Sequence, residues 1–455
     1  NIMETSAADR ELDVWLSEKE NDMVEDIASL VEIPSISGGR KGSAPYGKAC
    51  REVLLKILEI GQRYGFSCRS FQDKCAVIQY GTGRKTVGIW GHLDVVPEGN
   101  GWLYPPFACT RKCDILIGRG VQDNKGPVIA FLYAMRYLKE KGFVPVVTFQ
   151  QILGCREELD MEDVTSYLKE NPAPEVSFVT DCAFPVCYGE KGICRAEFVS
   201  EKLDGNMVLS GGSAVNSIPA YACAKIRSPQ GKWKKVEADG ISGHAAFPQG
   251  ANNALGILAE RILCKNREEN ILSDKEERVL KFLKKACGDG YGKELNIACE
   301  DHISGVLTAS GTVVRMEGEK AVVEMDIRYP VTAKAEDIWR QLENEAGKYG
   351  FSIRSFEDNA PSYIDKNTPF VTCLSGAYEE VMKDGKKPYV MGGGTYARKI
   401  PNAVGFGPGL EFDWKETGLP MGHGNCHSAD EVQSVSNLKT AVKIYVKALQ
   451  KLDAL

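Results

Sequence analysis

Short apolar runs alternate with amphipathic helical patterns along the first 180 residues, and this alternation limits the fold more than any other feature of the sequence. The patterns predict helices at 23–31, 49–64 and 126–139 and strands at 87–90, 144–152 and 176–179. Strands that alternate with helices imply a mixed, largely parallel sheet with helices on both faces. We therefore expect an α/β domain.

The middle of the chain has a different pattern. The elements predicted there are strands at 195–199 and 321–329 and helices at 251–263 and 335–349. Two strand-plus-helix units of similar size indicate a separate α+β domain. Short apolar strands and Gly-rich turns then return near the end of the chain. The simplest arrangement is one α/β domain made of residues 1–192 and 389–455, with an α+β domain inserted at 193–388.

Composition excludes several classes of partner. The chain has 455 residues, which is too long for one ordinary core, and its formal net charge of -6 argues against a nucleic-acid partner. No stretch reaches the roughly 18 uninterrupted apolar residues that span a bilayer, so no membrane partner is expected. The first 13 residues lack the basic and apolar regions of an export signal, and the 15 cysteines are scattered. These observations predict a cytoplasmic protein with reduced thiols.

Ionisable residues stand where the elements of the predicted α/β domain end or begin. His92 and Asp181 each follow an apolar strand, and Asp123 precedes a helix. Glu157 and Glu158 follow another strand. A single carboxylate at a helix start is more often a cap, but several that converge on one sheet edge repel one another unless they are protonated or neutralised. A site for zinc, manganese or cobalt would explain the group.

Two neighbours of these residues suggest supporting roles. Asp94 is placed to accept the second imidazole proton of His92, although it could equally be a solvated turn residue. Side chains of adjacent residues in an extended segment point to opposite sides, so Glu157 and Glu158 are unlikely to bind one metal in the same way. We expect one of them to be a ligand and the other a general base.

Several separated segments now make a family resemblance visible. The matching segments are GHLDVVP (91–97), GRG (118–120), DNKG (123–126), EE (157–158), Asp181 and HSADE (427–431). They resemble the metallopeptidase family with co-catalytic zinc that includes carnosinase, glutamate carboxypeptidase and acetylornithine deacetylase, and are most similar to its PepV-type bacterial dipeptidases. Because the blocks recur in the family's order over nearly the whole chain, the match is far more specific than one short motif.

The resemblance implies a role for each metal ligand. Asp123 would bridge two divalent metal ions. His92 and Asp181 would complete one site, and Glu158 and His427 would complete the other. Zinc is the expected metal, with manganese or cobalt as alternatives.

The same resemblance implies two further features of the site. Glu157 would be the general base, acting on a hydroxide that bridges the metal ions. The peptide bond after the bridging aspartate, Asp123-Asn124, would be cis.

Residues outside the metal site also match the family. His244, in the inserted domain, resembles the lid histidine that stabilises an oxyanion, and Asn216 resembles a substrate-contacting lid asparagine. Arg398 follows a run of glycines and resembles the arginine that binds the substrate's terminal carboxylate, with Gly393 and Gly394 allowing close backbone approach. Without the resemblance, a lone histidine or arginine would more often be structural.

Other candidate ligands are better explained as structural residues. His423 lies four residues before His427, but the glycines beside it make a helix improbable, so the spacing gives no shared face. His302 is expected at the surface. Three cysteines stand beside predicted site residues, namely Cys155, Cys182 and Cys426. Free cysteines are often simply buried, and we expect these to be packing residues.

The predicted function is metal-dependent hydrolysis of the peptide bond in dipeptides. Short peptides are the expected partners, and the large insertion resembles a lid that supplies within one chain what dimerisation supplies elsewhere, which predicts a monomer. An N-acyl-amino-acid deacylase is the first alternative. A binding protein that kept the fold without catalysis is the second, and the presence of all five ligands and the base argues against it.

Overall fold

The computed structural model describes residues 6–39 and 44–455. Residues 1–5, part of the stretch from which location was predicted, lie outside the described residues. The chain forms two compact units. Unit 1 contains the described residues up to Tyr188 together with Ile364–Tyr389 and Thr395–Leu455, and unit 2 contains Gly189–Tyr363 and Val390–Gly394.

The secondary structure of the amino-terminal part alternates as predicted. Its helices are α1 (Ala7–Val31), α2 (Lys48–Arg63), α3 (Lys125–Glu140) and α4 (Glu162–Glu170). Its strands are β1 (Ser67–Phe71), β2 (Cys75–Tyr80), β3 (Thr86–His92), β4 (Thr110–Lys112), β5 (Ile115–Ile117), β6 (Thr148–Gly154), β7 (Val176–Val179), β8 (Cys182–Ala183) and β9 (Cys187–Glu190).

Longer strands and further helices follow in the middle of the chain. The strands are β10 (Gly192–Ser200), β11 (Met207–Gly211), β12 (Ser217–Ile218), β13 (Tyr221–Arg227), β14 (Trp233–Asp239), β15 (Gly243–His244), β16 (Glu300–Asp301), β17 (Gly305–Val306), β18 (Thr308–Glu317), β19 (Lys320–Tyr329), β20 (Phe351–Asn359) and β21 (Ser362–Tyr363). The helices are α5 (Ala254–Glu269), α6 (Asp274–Ala286) and α7 (Ala335–Gly347).

The last part of the chain returns to short strands between two helices. Its elements are α8 (Pro369–Met382), β22 (Tyr389–Met391), β23 (Ala403–Gly405), β24 (Pro408–Gly409), β25 (Val432–Ser434) and α9 (Val435–Asp453). Short 3-10 helices occupy Lys293–Leu295, Tyr396–Lys399 and Trp414–Thr417.

The central sheet of unit 1 has the strand order β1-β2-β6-β3-β7-β23-β9. Its middle strands are parallel, because β3 pairs in parallel with β6 and β7, and β7 pairs in parallel with β23. The flanking pairs are antiparallel. His92 lies opposite Gly154, and Trp90 lies opposite Val179. The carboxyl ends of β3, β6 and β7 therefore meet at one edge, and the mixed α/β fold is confirmed.

Helix α3 lies in the centre of unit 1. Every residue from Lys125 to Leu138 is buried, which is typical of a helix that packs on all sides. Its first residue follows Asn124, so the chain that carries Asp123 is held against this buried helix. The interior position of α3 gives the candidate site a fixed support.

One predicted strand of this domain begins too early. The sequence predicts a strand from residue 144, whereas β6 begins at Thr148. Val144 and Val146 are 83% and 76% exposed, and the Val146 N–H donates to Asp453 (2.7 Å) rather than to a neighbouring strand. Pro145 has no N–H with which to join a ladder. The apolar residues at 144–146 therefore lie at the surface and do not belong to the strand.

Unit 2 is an α+β body built on an antiparallel sheet with the order β14-β13-β11-β18-β19-β10-β20. Helix α6 was absent from the sequence prediction, although its capping box is complete: Ser273 Oγ accepts the N–H of Glu276, whose carboxylate returns to Ser273. Residues of α5, α6 and α7 share one apolar core with the sheet.

The limits of the two units differ from the predicted domain limits. Helix α8, which was not predicted, falls within the limits given to the inserted domain, but it belongs to unit 1, where it packs against α9. Residues 390–394 belong to unit 2. The assignment of the units as catalytic and lid domains stays a prediction. Within the described residues, no helix combines the length and apolar composition needed to cross a bilayer.

Candidate metal centre

The strand ends of the central sheet bring the predicted ligands of the first site together. His92 is the last residue of β3, and Asp181 follows β7 by two residues. The Nε2 atom of His92 lies 2.8 Å from Oδ1 of Asp123 and 3.5 Å from Oδ2 of Asp181. The three side chains could hold one metal ion.

A second group of ligands forms on the other side of Asp123. Nε2 of His427 lies 3.0 Å from Oδ2 of Asp123 and 3.0 Å from Oε1 of Glu158. Asp123, Glu158 and His427 form another group that could hold a metal ion. The two histidines thus face different oxygens of one carboxylate, which is the arrangement that a bridging ligand requires.

Burial and the closeness of several carboxylates make the ionised form of this cluster unfavourable when no cation is bound. Burial, followed by the charge of Asp123, raises the pKa of Glu158 to about 8. Burial and the same aspartate raise the pKa of Asp181. Although burial opposes it, hydrogen bonding to Asp123 and Glu158 raises the pKa of His427 to about 11. Protons here compensate for like charges, and a divalent cation would do the same.

Glu157 and Glu158 occupy a turn after β6, so the extended geometry assumed from the sequence was wrong. The turn is held by Asp94, whose Oδ1 and Oδ2 accept the N–H groups of Glu157 (3.2 Å) and Glu158 (3.0 Å). Both glutamates can approach His92, and together they form a third group that could hold a metal ion. Oε2 of Glu157 lies 3.6 Å from Nε2 of His92.

Asp94 also contacts the predicted ligand His92, but mainly through its backbone. Nδ1 of His92 lies 2.9 Å from the Asp94 carbonyl oxygen and 3.3 Å from its Oδ1. An Nδ1–H donated to that carbonyl leaves the lone pair on Nε2, which faces the carboxylate cluster. The buried histidine is therefore oriented as a metal ligand should be.

The remaining predicted residues are divided between the two units. His244 and Asn216 lie together in unit 2: β15 pairs with β12, and the Asn216 carbonyl accepts the N–H of Ala245 (2.9 Å). His244 is exposed, and its Nδ1 accepts the N–H of Ala246 (3.0 Å). Gly393 and Gly394 also lie in unit 2, whereas Arg398 lies in unit 1 on the 3-10 helix Tyr396–Lys399. The predicted roles of these residues stay predictions.

The other candidate ligands have different surroundings. Nδ1 of His423 lies 2.6 Å from Oδ2 of Asp430, and His302 is exposed as expected. Cys155 is fully buried, as a packing residue should be. Cys182 is half-buried and Cys426 is exposed, and both line a cavity that also borders Asp123, which does not fit the packing role expected of them. The groups of described residues that could hold a metal contain no cysteine. The cis peptide between Asp123 and Asn124 is present as the resemblance implied.

A cavity of about 880 Å³ opens onto this cluster within unit 1. Its lining includes Asp123 and Asp181, and also Phe412 and Trp414, whose rings meet edge to face at 5.0 Å. A volume of this size is within the range of sites for small ligands. The candidate centre therefore borders a space large enough for a short peptide.

Two buried charged residues beside the cluster were given no role from the sequence. Arg119 and Glu431 are 1% and 0% exposed, and their side chains lie 2.9 Å apart. Their positions within the matching segments GRG and HSADE were the sequence signal that could have indicated a role. Their full burial as a pair supports such a role, because charged residues are seldom fully buried without a partner.

Comparison with known proteins identifies the class to which this fold and site belong. Residues 88–451 match Peptidase family M20/M25/M40. The chain is 30% identical to "Putative dipeptidase YtjP" of Bacillus subtilis (strain 168), over 97% of this chain and 99% of that protein. It is 28% identical to a "Putative dipeptidase" of Staphylococcus epidermidis, over 96% and 98% of the two chains. The chain belongs to the M20/M25/M40 peptidase family and is a peptidase.

Solved structures of low sequence identity share the fold. The dipeptidase Dug1p of Saccharomyces cerevisiae has a TM-score of 0.63 at 14% identity, covering 97% of each chain. Human carnosine dipeptidase 1 has a TM-score of 0.61 at 14% identity, covering 98% of this chain and 99% of the other. These similarities confirm the predicted fold class of a mixed α/β domain with an inserted α+β domain.

Proposed function

We propose that this peptidase hydrolyses dipeptides with the help of two divalent metal ions. The observation that carries the proposal is the shared position of Asp123, whose two carboxylate oxygens face His92 on one side and His427 on the other. Asp181 would complete the first site and Glu158 the second. An oxygen and imidazole donor set of this kind suits zinc, manganese or cobalt.

The donor set fits the ions on physical grounds. Several carboxylates share one buried space, and the pKa of Glu158 and of Asp181 is raised there. Bound cations would offset both the cost of burying these carboxylates and their mutual repulsion, and would allow every carboxylate to ionise. Bound ions would supply Lewis acidity to the scissile carbonyl and make a water molecule easier to deprotonate.

Glu157 is the residue proposed to move protons. Its carboxylate reaches the His92 side of the cluster, and its backbone is fixed by Asp94. Burial raises the pKa of the Glu157 carboxyl well above its usual range. Bound cations would keep this carboxyl ionised at neutral pH, and the carboxylate could then take a proton from the attacking water and deliver it to the leaving amine. His244 would support the oxyanion, and Asn216 would contact the substrate.

Two observations support the preference for dipeptides. Relatives that align over nearly their whole length are named as dipeptidases. The cavity beside Asp123 and Asp181 is of a size suited to a small ligand. Arg398 is proposed to bind the substrate's terminal carboxylate, with Gly393 and Gly394 giving room for the peptide. We also propose that the protein acts as a monomer in the cytoplasm.

The decisive experiment combines metal analysis with a dipeptide panel. The purified chain, stripped with a chelator and reloaded with zinc, manganese or cobalt, should bind about two ions and cleave dipeptides with a free amino group. Amino-blocked dipeptides and acyl amino acids are the matched comparison, because a deacylase would cleave these instead. Binding of less than one ion, together with no cleavage of any of these substrates, would overturn the proposal.

A further inference from the structure

We propose that the buried ion pair Arg119–Glu431 is a positioning device for the metal centre, and that it sets the metal affinity by fixing the loop that carries Asp123. This inference rests on the proposed function, since it concerns the same two-metal centre. Neither residue is placed to bind an ion in the groups described above. Both would act through the ligands.

Glu431 holds the backbone beside Asp123. Its Oε2 accepts the N–H groups of Gly120 (3.0 Å), Gln122 (3.0 Å) and Asp123 (3.1 Å). Its other oxygen, Oε1, receives Nη1 of Arg119 at 2.9 Å. One carboxylate oxygen thus gathers three backbone donors of a single loop, so the direction of the Asp123 side chain depends on Glu431.

Arg119 connects that loop with two other parts of the site. Its Nη1 donates to the Ser428 carbonyl (3.0 Å), next to His427. Its Nη2 donates to the carbonyls of Pro97 (3.3 Å) and Glu98 (3.0 Å), a few residues after His92. The planar guanidinium provides several fixed donors, which lets one side chain satisfy carbonyls from separate segments.

Stability alone does not explain such a pair. A fully buried ion pair loses so much solvation that apolar residues of similar volume often stabilise a protein as well or better. The geometry points to another benefit: the pair joins the segments that carry His92, Asp123 and His427. Residues that orient metal ligands in this way commonly change metal affinity by about 10- to 100-fold when they are replaced.

The test is Glu431→Gln in the full chain, with Co²⁺ as the probe. The amide oxygen can still accept N–H groups from the loop, but its NH₂ meets a donor of Arg119. We expect Co²⁺ affinity, measured against a competing chelator, to fall at least ~10-fold. We also expect the visible absorption spectrum of the Co²⁺ form to change, because the ligands around the ion shift.

Asp26→Asn is the matched control. Asp26 is also a buried carboxylate of unit 1, and it accepts hydrogen bonds from Arg63 (3.1 Å) and Tyr133 (2.6 Å) between α1, α2 and α3. This variant should lose thermal stability but keep its Co²⁺ affinity and spectrum. If it weakens Co²⁺ binding as much as Glu431→Gln does, general destabilisation explains the result and the proposal is wrong.

Arg119→Lys keeps the buried charge and covers the case in which Glu431→Gln fails to fold. A lysine cannot reach all four acceptors, so a smaller but measurable affinity loss is expected. Parent-like affinity and spectrum in a folded variant at either position would overturn the inference alone. A parent chain that binds no Co²⁺ overturns both proposals. A parent that binds Co²⁺ but cleaves no dipeptide overturns the function, while the affinity ratios still decide the positioning role.

Discussion

The two histidines of the candidate centre reach the same carboxylate from very different settings. His92 ends a central parallel strand, its side chain is fully buried, and its Nδ1 is fixed by the Asp94 carbonyl. His427 lies in a loop with φ at 65°, and its side chain is 43% exposed. The sheet itself positions the first histidine, whereas the second depends on a loop that must be held by other contacts. One half of the site is therefore built into the core, and the other half is added to it.

Replacing Glu157, on the His92 side, should give the largest effect. Glu157→Gln removes the proposed base while its neutral amide still fits the turn, so activity on dipeptides should fall at least ~10²-fold with both metals retained. Steady-state kinetics and metal analysis measure the two quantities. Glu158→Gln is the matched variant and should lose metal from the His427 side. Near-normal turnover in Glu157→Gln would remove it as the base.

Alanine substitutions at the two histidines test the comparison directly. His92→Ala leaves a buried gap and an unpaired Asp94 carbonyl, so the free energy of unfolding of the metal-free chain should fall by roughly 2 kcal/mol. His427→Ala should cost less than His92→Ala, because the His427 side chain is partly exposed and solvent screens its interactions with Asp123 and Glu158. Denaturant unfolding of both metal-free variants provides the measurement. Equal losses would show that the loop is as integral to the core as the strand.

Replacing Arg398 tests a proposed substrate contact that lies outside both halves of the candidate metal centre. Loss of one charged hydrogen-bonding partner costs about 1.5–3 kcal/mol, so Arg398→Ala should raise KM for dipeptides by roughly 10-fold or more. Metal content should not change, which separates this residue from the histidines. Arg398→Lys keeps the charge without the planar fork and should be intermediate. An unchanged KM in the alanine variant would exclude Arg398 from the carboxylate site.

The dependence of stability on pH should be the smallest effect. The raised pKa of Glu158, about 8, means that the folded metal-free chain keeps a proton that the unfolded chain loses near pH 4.5, so stability falls as pH rises between these values. The raised pKa of His427, about 11, acts in the same direction: its contribution is full below 6.5 and is lost as pH rises through 11.

Calorimetry from pH 6 to pH 9 can detect this dependence. The Tm of the metal-free chain should fall by a few degrees, and the difference between metal-loaded and metal-free Tm should widen, because metal binding displaces the protons. Glu158→Gln should flatten the metal-free curve. A metal-free Tm that rises over this range would contradict the assigned pKa directions.

The same division between sheet and loop explains what the sequence could predict. The positions of His92 and Asp181 at strand ends follow from apolar periodicity, because parallel strands place their carboxyl ends together. His427 stands in a segment without periodicity, so only the family resemblance indicated it. The turn at Glu157 depends on hydrogen bonds to Asp94, a residue 63 positions earlier, and no local pattern contains that information.

Helix α6 is a different case, because its signal is local. Ser273 and Glu276 form a complete capping box that marks the start of the helix in the sequence, although the prediction did not include it. At Val144 a strand was predicted where none begins, because the apolar residues there are exposed rather than buried. The joint role of Arg119 and Glu431 could not be predicted, because it depends on three segments meeting in space.

The division of unit 1 between distant parts of the chain also has a consequence for biosynthesis. A ribosome makes the segment with His92 and Asp181 well before it makes Thr395–Leu455, which carries His427. A nascent chain therefore holds a half-formed cluster of carboxylates while the whole of unit 2 is still being synthesised. The candidate centre cannot be completed until His427 has been added, so a nascent chain that ends anywhere within unit 2 carries only part of the candidate ligand set.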